Sequence, residues 1–291
     1  MKYGLSIPPF GDYAHPRKLA DMAREAEQVG WDGFFIWDHI FMDPTFHPVA
    51  DIWVALAAMS MTTTHIRLGP MVTALARRRP WKVARETVSV DLLSNGRLTL
   101  GVGLGEPAKW DFGFMGEETD ARIRAEKLDE GLDILKGLWT AQPFSYQGTH
   151  YQLNEVIFRP SPVQQPRIPV WVGGNWNKPR PQQRAARWDG YFPLKWGETI
   201  TVEDWRGMMQ AVNEHRPDPS VPFDWVHSGQ LPGDDSAAAT VIVAPYAEVG
   251  VTWWVEDASP YRWGWKWEDQ FTPEATRLMD TRIRQGPPRF R

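Results

Sequence analysis

At 291 residues, 42% hydrophobic and 23% charged, the chain suffices for one large α/β barrel or two ordinary domains around a sizeable core. A formal net charge of −4 removes the electrostatic footprint of a nucleic-acid binder. The absence of cysteine excludes disulfides, thiolate metal sites and a cysteine nucleophile and fits the cytoplasm, and no apolar run reaches the roughly 18–20 residues of a membrane span.

The opening stretch MKYGLSIPPFGDY lacks the apolar core of a signal peptide, and residues 3–7 read as a strand. Over 16–29, Leu19, Met22, Ala23, Ala26 and Val29 recur at helical spacing and Gly30 supplies the stop. Residues 33–40 (GFFIWDHI) predict a strand and 50–63 a helix; 66–72 and 81–93 repeat the pair, closed by a turn at Asn95-Gly96. A fourth strand at 98–103 precedes a long helix over 122–139. The stretch 144–159 breaks this rhythm as a hairpin with Gln147-Gly148 at its turn, and a proline-rich connector over 160–169 follows. The alternation then resumes with strands at 170–173, 190–194, near 225–230 and at 251–255. Helices over 181–188, 202–215, 237–249 and 273–284 follow them in turn.

Strands separated by helices must run parallel, because the helix is the crossover. The pattern therefore predicts an α/β fold, a single (βα)8 TIM barrel over 1–291 with a hairpin-containing insertion after the fourth unit. An open doubly wound sheet is the alternative. In such a barrel the active site lies where strands end and loops begin. That directs attention to Asp38 and His39, residues 71–73, 103–106 and 173–176, Lys195 and Trp196, residues 227–230, and Glu256 and Asp257.

His39, closing IWDHI, reads either as a structural histidine or as a proton-transferring group in the mouth. GVGLGE (101–106) fails as a dinucleotide fingerprint, since Glu106 stands where the third glycine belongs. Its glycines would let a ring or phosphate approach the backbone, and Glu106 is either a mouth acid or a solvated carboxylate. VGGNWNKPR (172–180) places glycines before a helix, where free N–H groups and Lys178 and Arg180 would suit an anion. Arg77, Arg78 and Arg79 read as a solvated loop or as a clamp for an acidic tail. The late tryptophans (Trp253, Trp254, Trp263, Trp265 and Trp267) read as packing or as a wall for a flat ligand. No histidine spacing indicates a metal site, and paired carboxylates such as Glu106 and Glu256 keep a barrel hydrolase open.

Four ordered segments, GWDGFFIWDHI, IRLGPMVTALARRRPWKVARETVSVDLLSNGRLTLGVGLGE, EKLDEGLDILKGLWT and PVWVGG, resemble the bacterial luciferase-like flavin-dependent oxidoreductases. The resemblance implies a barrel binding reduced FMN, or the deazaflavin F420, at its C-terminal mouth. It implies a non-proline cis peptide at Met71–Val72 behind the ring, with Asp38, Gly103, Gly105, Gly173 and Gly174 beside it. Asn175, Lys178 and Arg122 are implied for the phosphate end, where Leu104 replaces an arginine that some FMN members carry. His39 and Glu106 match the F420 branch's histidine and glutamate, implying a base or orienting donor and a proton donor. The leading expectation is a monooxygenase using reduced FMN and O2 on a small organic substrate, with a flavin reductase as partner and a homodimer by family analogy. F420-dependent hydride transfer is the alternative, and a non-catalytic flavin binder a third reading. The late tryptophans and the hairpin are expected to shape a dry substrate pocket.

Overall fold

Runs of consecutive apolar residues become strands here because a parallel sheet is covered on both faces. The computed structural model describes residues 1–41, 47–266 and 268–288. In chain order the elements are β1 (Lys2–Ile7), α1 (Pro16–Val29), β2 (Gly33–Ile36), α2 (Ile52–Thr62), β3 (Arg67–Pro70), β4 (Thr73–Ala74), α3 (Pro80–Leu93) and β5 (Leu100–Gly103). Then come α4 (Ala108–Asp111), α5 (Ala121–Trp139), β6 (Pro143–Gln147), β7 (Gln152–Ile157), β8 (Val170–Asn175), α6 (Pro179–Ala185) and β9 (Gly190–Leu194). The chain ends with α7 (Val202–Asn213), β10 (Asp224–Gly229), α8 (Ser236–Val249), β11 (Trp253–Asp257) and α9 (Pro273–Gln285).

Nine strands form one parallel sheet in the order β3-β2-β1-β11-β10-β9-β8-β5-β4. Its two ends are consecutive pieces of one segment, divided at Met71 and Val72 where the sequence predicts an unbroken strand. Leu68 N donates to Arg97 O (3.1 Å) and Thr99 N to Leu68 O (2.9 Å), joining β3 to the approach to β5. Gly69 permits that approach, since a Cβ there would stand 1.9 Å from Thr99 O. The sheet is a nearly closed parallel barrel.

Side chains from strands all round the sheet meet one another, so they must fill its enclosed side. Phe35, Trp171, Phe192, Val226 and Trp253 form this plug, with ring centroids 5.1 Å apart for Phe35–Trp171 and 5.2 Å for Trp171–Trp253. Both indole N–H groups end on Asp224, at 3.0 Å from Trp171 and 3.1 Å from Trp253. Each such ring contributes roughly 1.5–3 kcal/mol through burial. Two further late tryptophans also serve packing: Trp254 lies against His227 and Tyr246, and Trp263 packs on the core. Trp267 lies outside the described residues.

The antiparallel hairpin β6–β7 docks on α5, where Phe144 covers Gly137 and Glu130 accepts N–H bonds from Thr149, His150 and Tyr151. Among the described residues, no helix is long and apolar enough to cross a membrane.

Candidate active site

The C-terminal ends of the strands enclose a cavity of about 1360 Å³. Every residue that the resemblance implies for the site lines it: Asp38, His39, Met71, Val72, Gly103, Gly105, Glu106, Arg122, Gly173, Gly174, Asn175 and Lys178. The hairpin and the described late tryptophans do not, contrary to expectation; the indoles at the wall are Trp37 and Trp196.

His39 leaves the end of β2 with its Nδ1 held 2.6 Å from Asp111 Oδ2. Asp111 ends α4, is buried, and through Oδ1 accepts N–H bonds from Ile40 (2.9 Å) and Phe41 (3.2 Å). Burial pushes its pKa up, but the His39 bond, Arg77 and the Ile40 N–H outweigh this and hold the carboxyl below the usual range. An anionic Asp111 requires Nδ1 to be the donor, so in the neutral imidazole Nε2 is the acceptor. Beneath the pair, Arg77 donates to Asp38 Oδ1 (2.8 Å) and Asp38 O (2.7 Å) while its Nη1 stands 3.4 Å from Asp111. Arg78 donates to both Asp38 oxygens, at 3.0 and 2.7 Å. Burial raises the Asp38 pKa, yet the two guanidiniums prevail and lower it. The basic run is therefore no clamp at the mouth, for two of its three cations are turned into the wall against Asp38.

Glu106 sits on the rim, 55% exposed, with Oε1 accepting from Arg124 (3.0 Å) and Oε2 from Ala108 N (3.0 Å). Each oxygen thus accepts one hydrogen bond while the side chain stays open to solvent. The glycines also act differently from the expectation of open backbone. A Cβ on Gly103 or Gly173 would meet Val72 at 2.7 or 2.9 Å, so Val72 is seated between the two strands. Gly105 adopts φ +80° against Ala74 and Phe112, and Gly174 packs on Pro181. The Met71–Val72 peptide is cis.

The expected anion nest before α6 is not preformed. Trp176 N bonds Leu194 O, Asn177 N faces Asn175 Oδ1, and Lys178 N bonds Asn175 O. Pro179 and Pro181 have no N–H to offer. Lys178, Arg180 and Arg122 remain exposed along the rim, with Arg122 3.8 Å from Glu126. Glu256 is fully buried outside the cavity, bonded by Arg262, by Arg282 Nε (3.0 Å) and by Leu231 N (3.0 Å). It cannot pair across the mouth with Glu106, which removes the carboxylate pair named for a hydrolase. His227, another strand-end candidate, is buried on the outer face of β10, accepting from Trp205 Nε1 at 2.9 Å.

Asp111 escaped detection because it lies 72 residues from His39, on a helix of only 4 residues that is too short to show a period. The polar arc of Ser6, Ser228, Gln230, Asp257 and Ser259 was visible only in part, as strand-end positions.

The luciferase-like monooxygenase family model matches residues 1–276. The F420-dependent glucose-6-phosphate dehydrogenase of Amycolatopsis mediterranei is 31% identical over 179 residues, 59% of this chain and 51% of that protein. The oxygenase component of the flavin-dependent trigonelline monooxygenase of Acinetobacter baylyi is 27% identical over 155 residues, 53% of this chain and 42% of that protein. The chain spans about half the length of the curated relatives it matches. The coenzyme F420-dependent tetrahydromethanopterin reductase of Methanopyrus kandleri shares the fold with a TM-score of 0.72, at 15% identity and 98% coverage of both chains.

Proposed function

The chain belongs to the luciferase-like monooxygenase family, and from that premise we propose an oxidoreductase that binds a reduced F420-type deazaflavin at the barrel mouth. The finer reading of the fold, eight strand–helix units in one domain, counts β3 and β4 as a single strand. The observation that carries the choice of cofactor is the rim. A compact phosphate is held best by N–H groups already pointing at it, and those of residues 176–178 are taken. Separate exposed cations at Arg122, Lys178 and Arg180 instead suit a long acidic tail running out of the cavity.

When bound, the deazaflavin supplies hydride transfer to or from the substrate. Val72, seated on Gly103 and Gly173, offers a firm apolar surface for one face of the ring. His39 Nε2 takes the proton from a substrate hydroxyl or amine on oxidation and returns it on reduction, a role worth about 10²–10⁴ in rate. Asp111 keeps Nδ1 protonated and the imidazole oriented, and Arg77 holds Asp111 and Asp38 in place. Trp37, Phe192 and Leu194 give the cavity apolar walls, and Trp196 adds an exposed indole.

The likeness to the trigonelline oxygenase component favours a second reading, the reduced-FMN monooxygenase fed by a partner reductase. A fluorescence titration of the purified chain with F420 and FMN, each oxidised and reduced, separates them. F420 is expected to bind at least tenfold tighter. Tighter binding of reduced FMN would give the second reading precedence, and affinity for neither would end both.

A further inference from the structure

The order of strands around the barrel divides the mouth into two arcs. Val72, Gly103 and Gly173 come from the β4, β5 and β8 side, where the rim cations also stand. Across the barrel, neighbouring β1, β11 and β10 bring Ser6, Asp257, Ser228 and Gln230, with Ser259 just beyond β11. Ser6 and Asp257 are register partners, so these groups form one continuous patch.

Two features of this arc call for a ligand. Asp38 and Glu106, the other carboxylates at the cavity, are paired with arginines. Asp257 has only neutral donors among the described residues: Ser259 N at 3.0 Å on Oδ1 and Gln230 Nε2 at 3.1 Å on Oδ2. Beside it, the Ser259 hydroxyl is fully buried, lines the cavity and has no hydrogen-bond partner among the described residues. Leaving a buried hydroxyl unmatched is unfavourable, so a group completing the arc gains from pairing with it. An ammonium has three donors and no acceptor, the complement of a carboxylate, a serine oxygen and the Gln230 amide oxygen.

We infer that the arc formed by Asp257, Ser259 and Gln230 is a substrate subsite for an ammonium group, so that the substrate is a small amine-bearing molecule. This rests on the proposed reading of the opposite arc as the cofactor's side. His39, just beyond β2 and between the two arcs, then stands where a substrate anchored at Asp257 and a ring lying on Val72 meet.

Ligand-observed NMR titration of the full chain with benzylammonium, benzyl alcohol and benzoate tests it. Benzylammonium is expected to bind about tenfold or more tighter than either, the scale of one partly buried charge-assisted contact. Asp257→Asn keeps the acceptor for Ser259 N and should reduce that preference to the level of the alcohol. Ser259→Ala should weaken the ammonium alone, by a few-fold. Equal binding of benzyl alcohol, preference for benzoate, or an undiminished preference in Asp257→Asn would overturn the subsite. Titration of the same samples with F420 and FMN separates the two ideas. Cofactor binding without ammonium preference removes only the subsite, and ammonium preference without cofactor binding removes only the cofactor reading.

Discussion

Two buried arginine–carboxylate clusters stand in this barrel, made of the same groups and put to different ends. At β2, Asp38, Arg77, Arg78 and Asp111 finish on a histidine that lines the cavity. At β11, Glu256, Arg262 and Arg282 finish on backbone: Leu231 N and O, and Gly286 O at 2.9 Å from Arg282 Nη1. The second cluster fastens the loop after β10 and the end of α9 to the outer wall, whereas the first orients a reactive ring. Buried ion pairs add little net stability but punish the loss of one partner severely. What a charge cluster does is therefore decided by the group at its end.

The comparison is broken most forcefully through Arg282. Arg282→Met leaves Glu256 with one cation and Gly286 O without its donor, and should cost about 3–5 kcal/mol in urea unfolding. Cofactor affinity per folded molecule should not change. A fall in that affinity matching the loss of stability would show that the clusters are not separate in function.

Asp111→Asn is the counterpart in the first cluster. Arg77 keeps Asp38, so the fold should survive, while turnover should drop about 10²-fold through loss of the oriented Nε2 acceptor. His39→Ala should lose a similar factor, and the double variant little more, since residues acting as a unit are not additive. Additive losses would separate Asp111 from His39. The acid limb gives a second reading. The folded Asp111 carboxyl is held below its usual pKa, so its contribution is present above the unfolded value near 3.9 and lost as pH falls through the folded one. Asp111→Asn should flatten that limb of the stability curve.

A third effect sets one histidine against the other. Burial alone lowers the His227 pKa to about 3, so the folded state binds no proton there at pH 5 while the unfolded chain does. Stability contributed by neutral His227 is therefore present above about pH 6.5 and declines below it, by roughly 2 kcal/mol between pH 6.5 and 5. His227→Gln, which keeps an acceptor for Trp205, should remove that slope, whereas His39→Ala should not.

How far the sequence foretold this contrast follows from what periodicity encodes. Apolar runs and their alternation with helices reveal the strands, and the barrel rule converts strand ends into a mouth, which brought His39 and Val72 into view. Periodicity does not say which way a strand-end residue points. Glu256 and Asp257 are adjacent, so they face opposite sides of the wall, and only register assigns Asp257 to the cavity. Arg77 and Arg78 read as a solvated loop or a clamp for the same reason, and both are turned into the wall. Asp111 was beyond reach because contacts across 72 residues from so short a helix follow no repeat.

Glu106 supplies the smallest effect and the sharpest limit on that legibility. Matched by resemblance to a proton donor, it is half-exposed on the rim with its oxygens taken by Arg124 and Ala108 N. Glu106→Gln retains one acceptor oxygen, replaces the other with an NH2 donor and removes the charge facing Arg124. Since Glu106 is half-exposed and Arg124 keeps its bonds to Leu104 O and Gly105 O, stability and turnover should each change by no more than a few-fold equivalent. A loss near that of His39→Ala, with cofactor affinity intact, would mean that Arg124 releases the carboxylate during turnover. The first cluster would then share the chemistry with a rim residue instead of carrying it alone.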